Sequence, residues 1–352
     1  MKINEGKFQG VWTLGEQREG DISTVSYELL AWGRELADKR GTTLASVILG
    51  HNIKEKAESL IHHGADIVYV VDHPGLEHFT PDDHSAILEK LVREFMPEIF
   101  IASATTYGRT VMPVLAAKVE TGLTADCTEL DIEQDTGLLI QTRPAIGGNV
   151  MATIKTPEHR PQMSTVRPRS KKPLSKDESR KGKIVLKEYP DELYVSKVKF
   201  IEFIKEETTA LPIQEADMIV SGGKGLKDAK NFNLLHELAD LLNSSVGASR
   251  QAVDMGWIPY SHQVGLSGKT VSPRLYIALG ISGAVQHLAG MSSADVVVAI
   301  NNDPDAGIFR VCDFGIVGDI FEILPVLIEK LRERKATSSE GEHKATSSKG
   351  GS

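Results

Sequence analysis

The stretch Met218-Ile219-Val220-Ser221-Gly222-Gly223-Lys224-Gly225 decides how this chain is read. Its apolar residues suit a buried strand, and the small residues after them suit a tight turn out of it. The segment that follows carries Leu234, Leu235, Leu238, Leu241 and Leu242, an apolar face at helical spacing. Apolar runs at 275–279 and 296–300 repeat the strand signal, and an amphipathic segment at 320–334 supplies a last helix. Pro325 falls in the first turns of that helix, where proline is tolerated. Alternation of this kind implies a parallel, doubly wound sheet, whose ligand sits at the carboxyl ends of its strands.

Those ends are rich in small and polar residues. They comprise the Ser221–Gly225 turn, Gly247-Ala248-Ser249-Arg250, the run Gln263-Val264-Gly265-Leu266-Ser267-Gly268-Lys269-Thr270, the run Gly280-Ile281-Ser282-Gly283-Ala284-Val285-Gln286-His287, then Asn301-Asn302-Asp303-Pro304 and Gly318-Asp319. Glycine removes the Cβ barrier, so backbone can come close to a phosphate or a ring edge. Two common nucleotide motifs are excluded. A Walker A loop ending at Gly268-Lys269-Thr270 needs a glycine at 263, which is Gln263. A G-x-G-x-x-G fingerprint begun at Gly223-Lys224-Gly225 would need its third glycine at Asp228.

The first 125 residues show the same alternation. Strands are expected at 10–14, 43–49, 67–71 and 99–104, with helices at 23–37, 54–62, 81–95 and 110–120. From 128 to 166 the pattern shifts to short runs, 138–142 and 150–155, divided by the turns Asp135-Thr136-Gly137 and Gly147-Gly148-Asn149. That reads as antiparallel strands appended to the first sheet. Residues 167–183 hold eight basic side chains with proline and serine and read as a solvated loop. A boundary is expected near Leu211-Pro212. The resulting division is an α/β scaffold and interface domain at 1–209, a second α/β domain at 210–335, and a disordered tail at 336–352.

At 352 residues the chain has room for two domains, each with its own core. A net charge of −8 argues against a nucleic-acid binder. Only two cysteines occur, Cys127 and Cys312, with no metal pattern; both are expected to be buried thiols in a reducing compartment. No apolar run approaches the roughly 18 residues that span a bilayer, and residues 1–7 are polar, so a cytoplasmic location is expected. His51, His62, His63, His73, His78 and His84 are scattered and suggest surface or loop positions. No general base with a partner emerges, so no catalytic residue and no metal ligand is assigned.

Taken with their spacing, the strand-end segments closely resemble the C-terminal domain of electron-transfer flavoprotein alpha subunits. The resemblance runs through residues 8–331, by way of Glu16-Gln17-Arg18, the run 121–127 and Thr142-Arg143-Pro144-Ala145. It implies two doubly wound α/β domains, the second a Rossmann-like domain that binds FAD, and a beta subunit as partner. Carried over by position, it implies FAD contacts at Lys224, Ser249, Arg250, Val264, Gly265, Leu266, Ser267, Ser282, Gly283, Ala284, Val285, Gln286, His287, Asn301 and Asp319. Lys224 stands where the family usually has arginine, and Leu266-Ser267 where it usually has glutamine and threonine. Lysine lacks the bidentate fork, and Leu266 could contribute only through backbone.

Physical roles follow. Arg250 carries a permanent charge that would favour an anionic flavin. Ser267 can donate to or accept from the flavin edge. His287 could hydrogen-bond the pyrimidine carbonyls. Ser282 and Gly283 open a helix suited to a pyrophosphate. Asp319 could accept from ribose hydroxyls, cap the last helix, or both. The run Thr121-Gly122-Leu123-Thr124-Ala125-Asp126-Cys127-Thr128 resembles the form common in anaerobic, electron-bifurcating complexes. That implies a carrier linked to an acyl-CoA dehydrogenase, with NADH and ferredoxin engaged through the complex. A one-path electron carrier is the alternative within the family, and a non-redox nucleotide-binding sensor the alternative outside it.

Overall fold

A computed structural model of the chain describes residues 8–18, 20–145, 150–198, 200–202, 213–291 and 294–347, and of residues 215 and 336–347 the backbone alone. The expected turn at Gly147-Gly148-Asn149 and the boundary at Leu211-Pro212 lie outside the described residues. Two compact units result, Met1–Ile204 and Lys205–Ser352.

The first unit runs β1 (Val11–Leu14), β2 (Gln17–Arg18), β3 (Asp21–Ile22), α1 (Thr24–Arg40), β4 (Leu44–Gly50), α2 (Glu58–His62), β5 (Ile67–Asp72), α3 (Pro81–Phe95), β6 (Ile99–Ser103) and α4 (Thr106–Lys118). It continues through β7 (Leu123–Cys127), β8 (Glu129–Ile132), β9 (Leu139–Pro144), β10 (Met151–Ile154), β11 (Gln162–Val166) and β12 (Lys183–Leu186). Seven of these strands form one parallel sheet in the order β12-β5-β4-β1-β6-β11-β7. Alternate strand residues feed opposite cores. Trp12, Val47 and Phe100 pack with Leu88 of α3 and Leu115 of α4, whereas Val11, Ile48 and Ile101 pack with Leu30 of α1 and Leu60 of α2. Helices on both faces explain why β4 is buried at every position.

Several expectations need correction. β8, β9 and β10 are antiparallel but form a separate three-stranded sheet. β11 is not antiparallel: it lies parallel between β6 and β7, and all five of its residues are buried. Its buried polar side chains are met in part by neighbouring backbone: Thr165 Oγ1 accepts from Asp126 N at 3.0 Å and Gln162 Oε1 from Leu139 N at 2.9 Å. α4 begins four residues early because the Thr105 hydroxyl accepts from Gly108 N at 3.1 Å and caps it. His84 is buried in α3, 2.8 Å from the Asp83 carboxylate. Arg167 opens the basic run yet is buried, held to the Asp126 carboxylate at 2.9 Å. Cys127 is buried, which pushes its thiol up to about 12, but Cys312 is only half-buried.

The second unit runs β13 (Met218–Gly222), α5 (Phe232–Leu242), β14 (Ser245–Ala248), α6 (Arg250–Asp254), β15 (Leu275–Leu279), α7 (Val285–Met291), β16 (Val296–Asn301), β17 (Phe314–Val317) and α8 (Ile320–Ser347). Its five-stranded sheet is parallel throughout, in the order β14-β13-β15-β16-β17. Val220, Ile277 and Leu279 pack under α5 and α8 through Leu235, Leu238 and Leu324. Ile219, Tyr276 and Ala278 face the opposite core with Met291 and Ile308. β17 closes the order, and Phe314, Ile316 and Val317 on it are exposed. α8 continues past Ala336 into the expected tail as far as Ser347, a stretch with Gly341 as its single glycine and no proline to stop it.

Candidate functional site

In the five-stranded sheet the strand order reverses beside β13: the chain steps to β14 on one side, then crosses to β15 on the other. A crevice opens at such a reversal, at the carboxyl ends of the flanking strands. A cavity of about 710 Å³ sits there, a size suited to a small ligand or cofactor.

Its floor is backbone on backbone. Gly223 N donates to Leu279 O at 2.9 Å and Gly225 N to Gly280 O at 3.0 Å. A Cβ on Gly225 would stand 2.7 Å from Gly280 Cα, so the two loops can meet only because both positions lack a side chain. Gly280 also has a φ of +63°, in the left-handed region that favours glycine. Asn301 fastens the far side: its amide donates to Ile281 O at 2.9 Å and its Oδ1 accepts from Asp303 N at 3.0 Å.

One wall comes from the loop 263–269. Val264 N donates to Ala248 O at 2.9 Å, which ties the loop to β14. Gln263 donates to the Ser267 hydroxyl at 3.2 Å, and Tyr260 OH to Ser267 O at 2.8 Å. Leu266 was expected to contribute through backbone; its N–H is given to Gln286 O at 2.7 Å. What Leu266 presents is an apolar side chain that is 72% exposed. Ser249 and Arg250 form the mouth opposite. Arg250 Nε lies 3.3 Å from the Asp254 carboxylate, one helical turn on, with both side chains largely exposed.

His287 lines the cavity from α7. It is buried, and its Nε2 lies 3.0 Å from the hydroxyl of fully buried Tyr276. Among the described residues its enclosed Nδ1 has no partner of full hydrogen-bond geometry, although the Val264 backbone interacts with the ring. Burial pushes its pKa down to about 4, with the Val264 backbone opposing, so the ring is neutral near pH 7.

Lys224, Ser249, Arg250, Val264, Gly265, Leu266, Ser267, Ser282, Ala284, Gln286, His287 and Asn301 thus come together around one cavity. Gly283, Val285 and Asp319 do not line it. Gly283 packs on the Gly307–Ile308 backbone, where a Cβ would stand 2.1 Å from Ile308 N. Val285 opens α7 and is exposed. Asp319 caps α8, accepting from Phe321 N at 2.9 Å. Residues outside the expected set also line the wall, among them Asp254, Asp303 and Ala306. Asp254 was signalled by its spacing from Arg250. Tyr276, behind the wall, carried no signal beyond strand alternation. Among the described residues no helix is long and apolar enough to cross a membrane.

Comparison with known proteins agrees with this geometry. The profile of the electron transfer flavoprotein domain matches residues 11–192, and that of the electron transfer flavoprotein FAD-binding domain matches residues 212–292. The chain is 49% identical to an electron transfer flavoprotein subunit alpha of Thermoanaerobacterium thermosaccharolyticum, over 93% of this chain and 99% of the relative. It is 41% identical to an acryloyl-CoA reductase electron transfer subunit beta of Anaerotignum propionicum, over 93% and 97%. It is 39% identical to the LctC subunit of a lactate dehydrogenase (NAD(+),ferredoxin) of Acetobacterium woodii, over 93% and 78%.

Proposed function

The chain belongs to the electron transfer flavoprotein family, on its alpha-subunit side, and from that premise we propose that its FAD lies in the cavity at the β13/β15 reversal and that it relays electrons as one half of a heterodimer. Bound FAD supplies reversible uptake and release of electrons; the chain supplies binding, orientation and charge. One observation carries the reading. A cradle that only glycine permits at 225 and 280 lines the same cavity as a buried imidazole, His287. Those are the demands of a ligand with a phosphate or ring edge to seat and a polar edge to satisfy.

The residues divide the work by chemistry. Gly225 and Gly280 let backbone approach the cofactor, and Ser282 offers a hydroxyl and N–H groups beside it. Lys224 and Arg250 supply positive charge for the phosphates and the flavin. Ser249 and Ser267 add hydroxyls. His287 faces the ring as a neutral imidazole. Leu266 packs apolar surface against the cofactor and excludes water.

The finer reading is NADH-dependent electron bifurcation, with a beta subunit, ferredoxin and an acyl-CoA dehydrogenase as partners. Its support is the run at 121–128 and two relatives, one named for acryloyl-CoA reductase and one for NAD(+) and ferredoxin. Co-expression with a beta subunit should give a yellow 1:1 heterodimer. Ferredoxin should be reduced by NADH only when the dehydrogenase and its enoyl-CoA substrate are present. Electron transfer between the dehydrogenase and a single acceptor, with no ferredoxin reduced, would leave a one-path carrier. Colourless protein after co-expression with flavin in excess would overturn the cofactor site.

A further inference from the structure

We propose that Asp254 is a built-in counter-charge to Arg250: it holds the guanidinium at one corner and offsets part of its field, so that the electron affinity of the flavin is set by the pair and not by the arginine alone. This rests on the reading that the cavity holds FAD. Asp254 lies outside the cofactor contacts that the family resemblance implies, yet it lines the cavity together with Arg250.

The two residues begin and end α6, so their side chains rise one helical turn apart on the same side of it. Their contact runs through one nitrogen, with Arg250 Nε 3.3 Å from Asp254 Oδ2. A guanidinium held at Nε keeps its two terminal amino groups for other partners. A grip on those groups would have consumed the fork that suits a carbonyl or phosphate edge. The carboxylate thus steadies the guanidinium without using the donors a cofactor would take. It also sets a negative charge beside the positive one, and both groups face the same cavity. Reduction adds negative charge to a flavin, which a nearby cation favours and a nearby carboxylate opposes. The two fields therefore pull the cofactor in opposite directions. Each is weakened by water, because the side chains are 70% and 60% exposed. Lys224 and Asp303, the other charged residues lining the cavity, follow β13 and β16 and so enter from different strands.

The test is spectroelectrochemical titration of the full FAD-loaded protein. Asp254→Asn keeps the size of the side chain and an acceptor for Nε, and removes the charge. It should raise the equilibrium constant for one-electron uptake about two- to fivefold, or about 20–40 mV at 59 mV per tenfold, and the rise should shrink in high salt. Asp254→Glu keeps the charge and should stay within about twofold of the parent. Arg250→Ala combined with Asp254→Asn removes both charges and should also return close to the parent. An unmoved potential in flavin-replete Asp254→Asn would overturn the proposal, leaving the pair a surface contact. So would a lowered potential, or a rise of equal size in Asp254→Glu. Flavin content is read separately from absorbance. A parent protein that holds no flavin would remove the cofactor reading itself, whereas a replete parent with the wrong response in the variants removes the counter-charge alone.

Discussion

Replacing Glu16 with glutamine should stabilise the first unit at alkaline pH and leave it unchanged in acid. Glu16 follows β1, and its carboxylate accepts from the Thr105 hydroxyl at 2.7 Å. Part of the side chain reaches the surface, but protein surrounds most of it, and burial pushes its pKa from 4.5 up to about 7. The folded chain therefore holds this proton more tightly than the unfolded chain. Stability from Glu16 is complete below about pH 4.5 and is lost as pH rises through about 7. At about 1.4 kcal/mol per pH unit, that interval is worth up to about 3 kcal/mol. Glutamine stays neutral and keeps an acceptor for Thr105. Urea unfolding at pH 4.5 and 8 measures the effect in a Trp257→Phe background, which leaves Trp12 and Trp32 of this unit as the only tryptophans. Glu16→Gln should match the parent at the lower pH and exceed it by about 2–3 kcal/mol at the higher. Parallel pH profiles for the two proteins would refute the reasoning.

His287 has the opposite sign. Its folded pKa of about 4 lies below the ordinary 6.5, so stability should fall by up to about 3 kcal/mol as pH drops through that window; thermal melts between pH 7 and 4 should show the fall, and His287→Gln should flatten it. Gly225→Ala should cost about 1–3 kcal/mol by forcing the β13 and β15 loops apart, and flavin content after purification should drop with it; full occupancy at parental stability would dismiss the glycine cradle. Arg250→Ala should lower the flavin midpoint potential by only about 10–40 mV, because the guanidinium is exposed and shared with Asp254. Spectroelectrochemical titration reads that shift, and a larger change would place Arg250 closer to the flavin than its exposure suggests.

Local signals in the sequence were legible where physics is local. The helix expected at 81–95 matches α3, because Pro81 starts it and Asp82 and Asp83 complement its dipole. The segments around 221–225, 263–270 and 280–287 were expected at strand ends from their glycines and hydroxyls, and residues from all three line one cavity. What failed depends on distant partners. β11 falls in the stretch expected to be antiparallel, and only its place between β6 and β7 makes it a parallel strand of the main sheet. Leu266 was expected to contribute through backbone, and its N–H is bonded to Gln286 O, twenty positions on in the chain, a pairing no local pattern signals. Tyr276 reads as a strand aromatic, and its hydroxyl gains a role only once α7 folds over it.

The exposed strand β17 has a consequence for the chain's life before assembly. Among the described residues its outer side pairs with no further strand, and Phe314, Ile316 and Val317 stand open to water. An apolar edge of this kind is a template on which any extended chain can add. A freshly made, unaccompanied copy would thus carry a built-in hazard, growing with its concentration. Cells would do well to make such a chain in step with whatever shields it, and a heterologous host that overproduces it alone should collect much of it as aggregate.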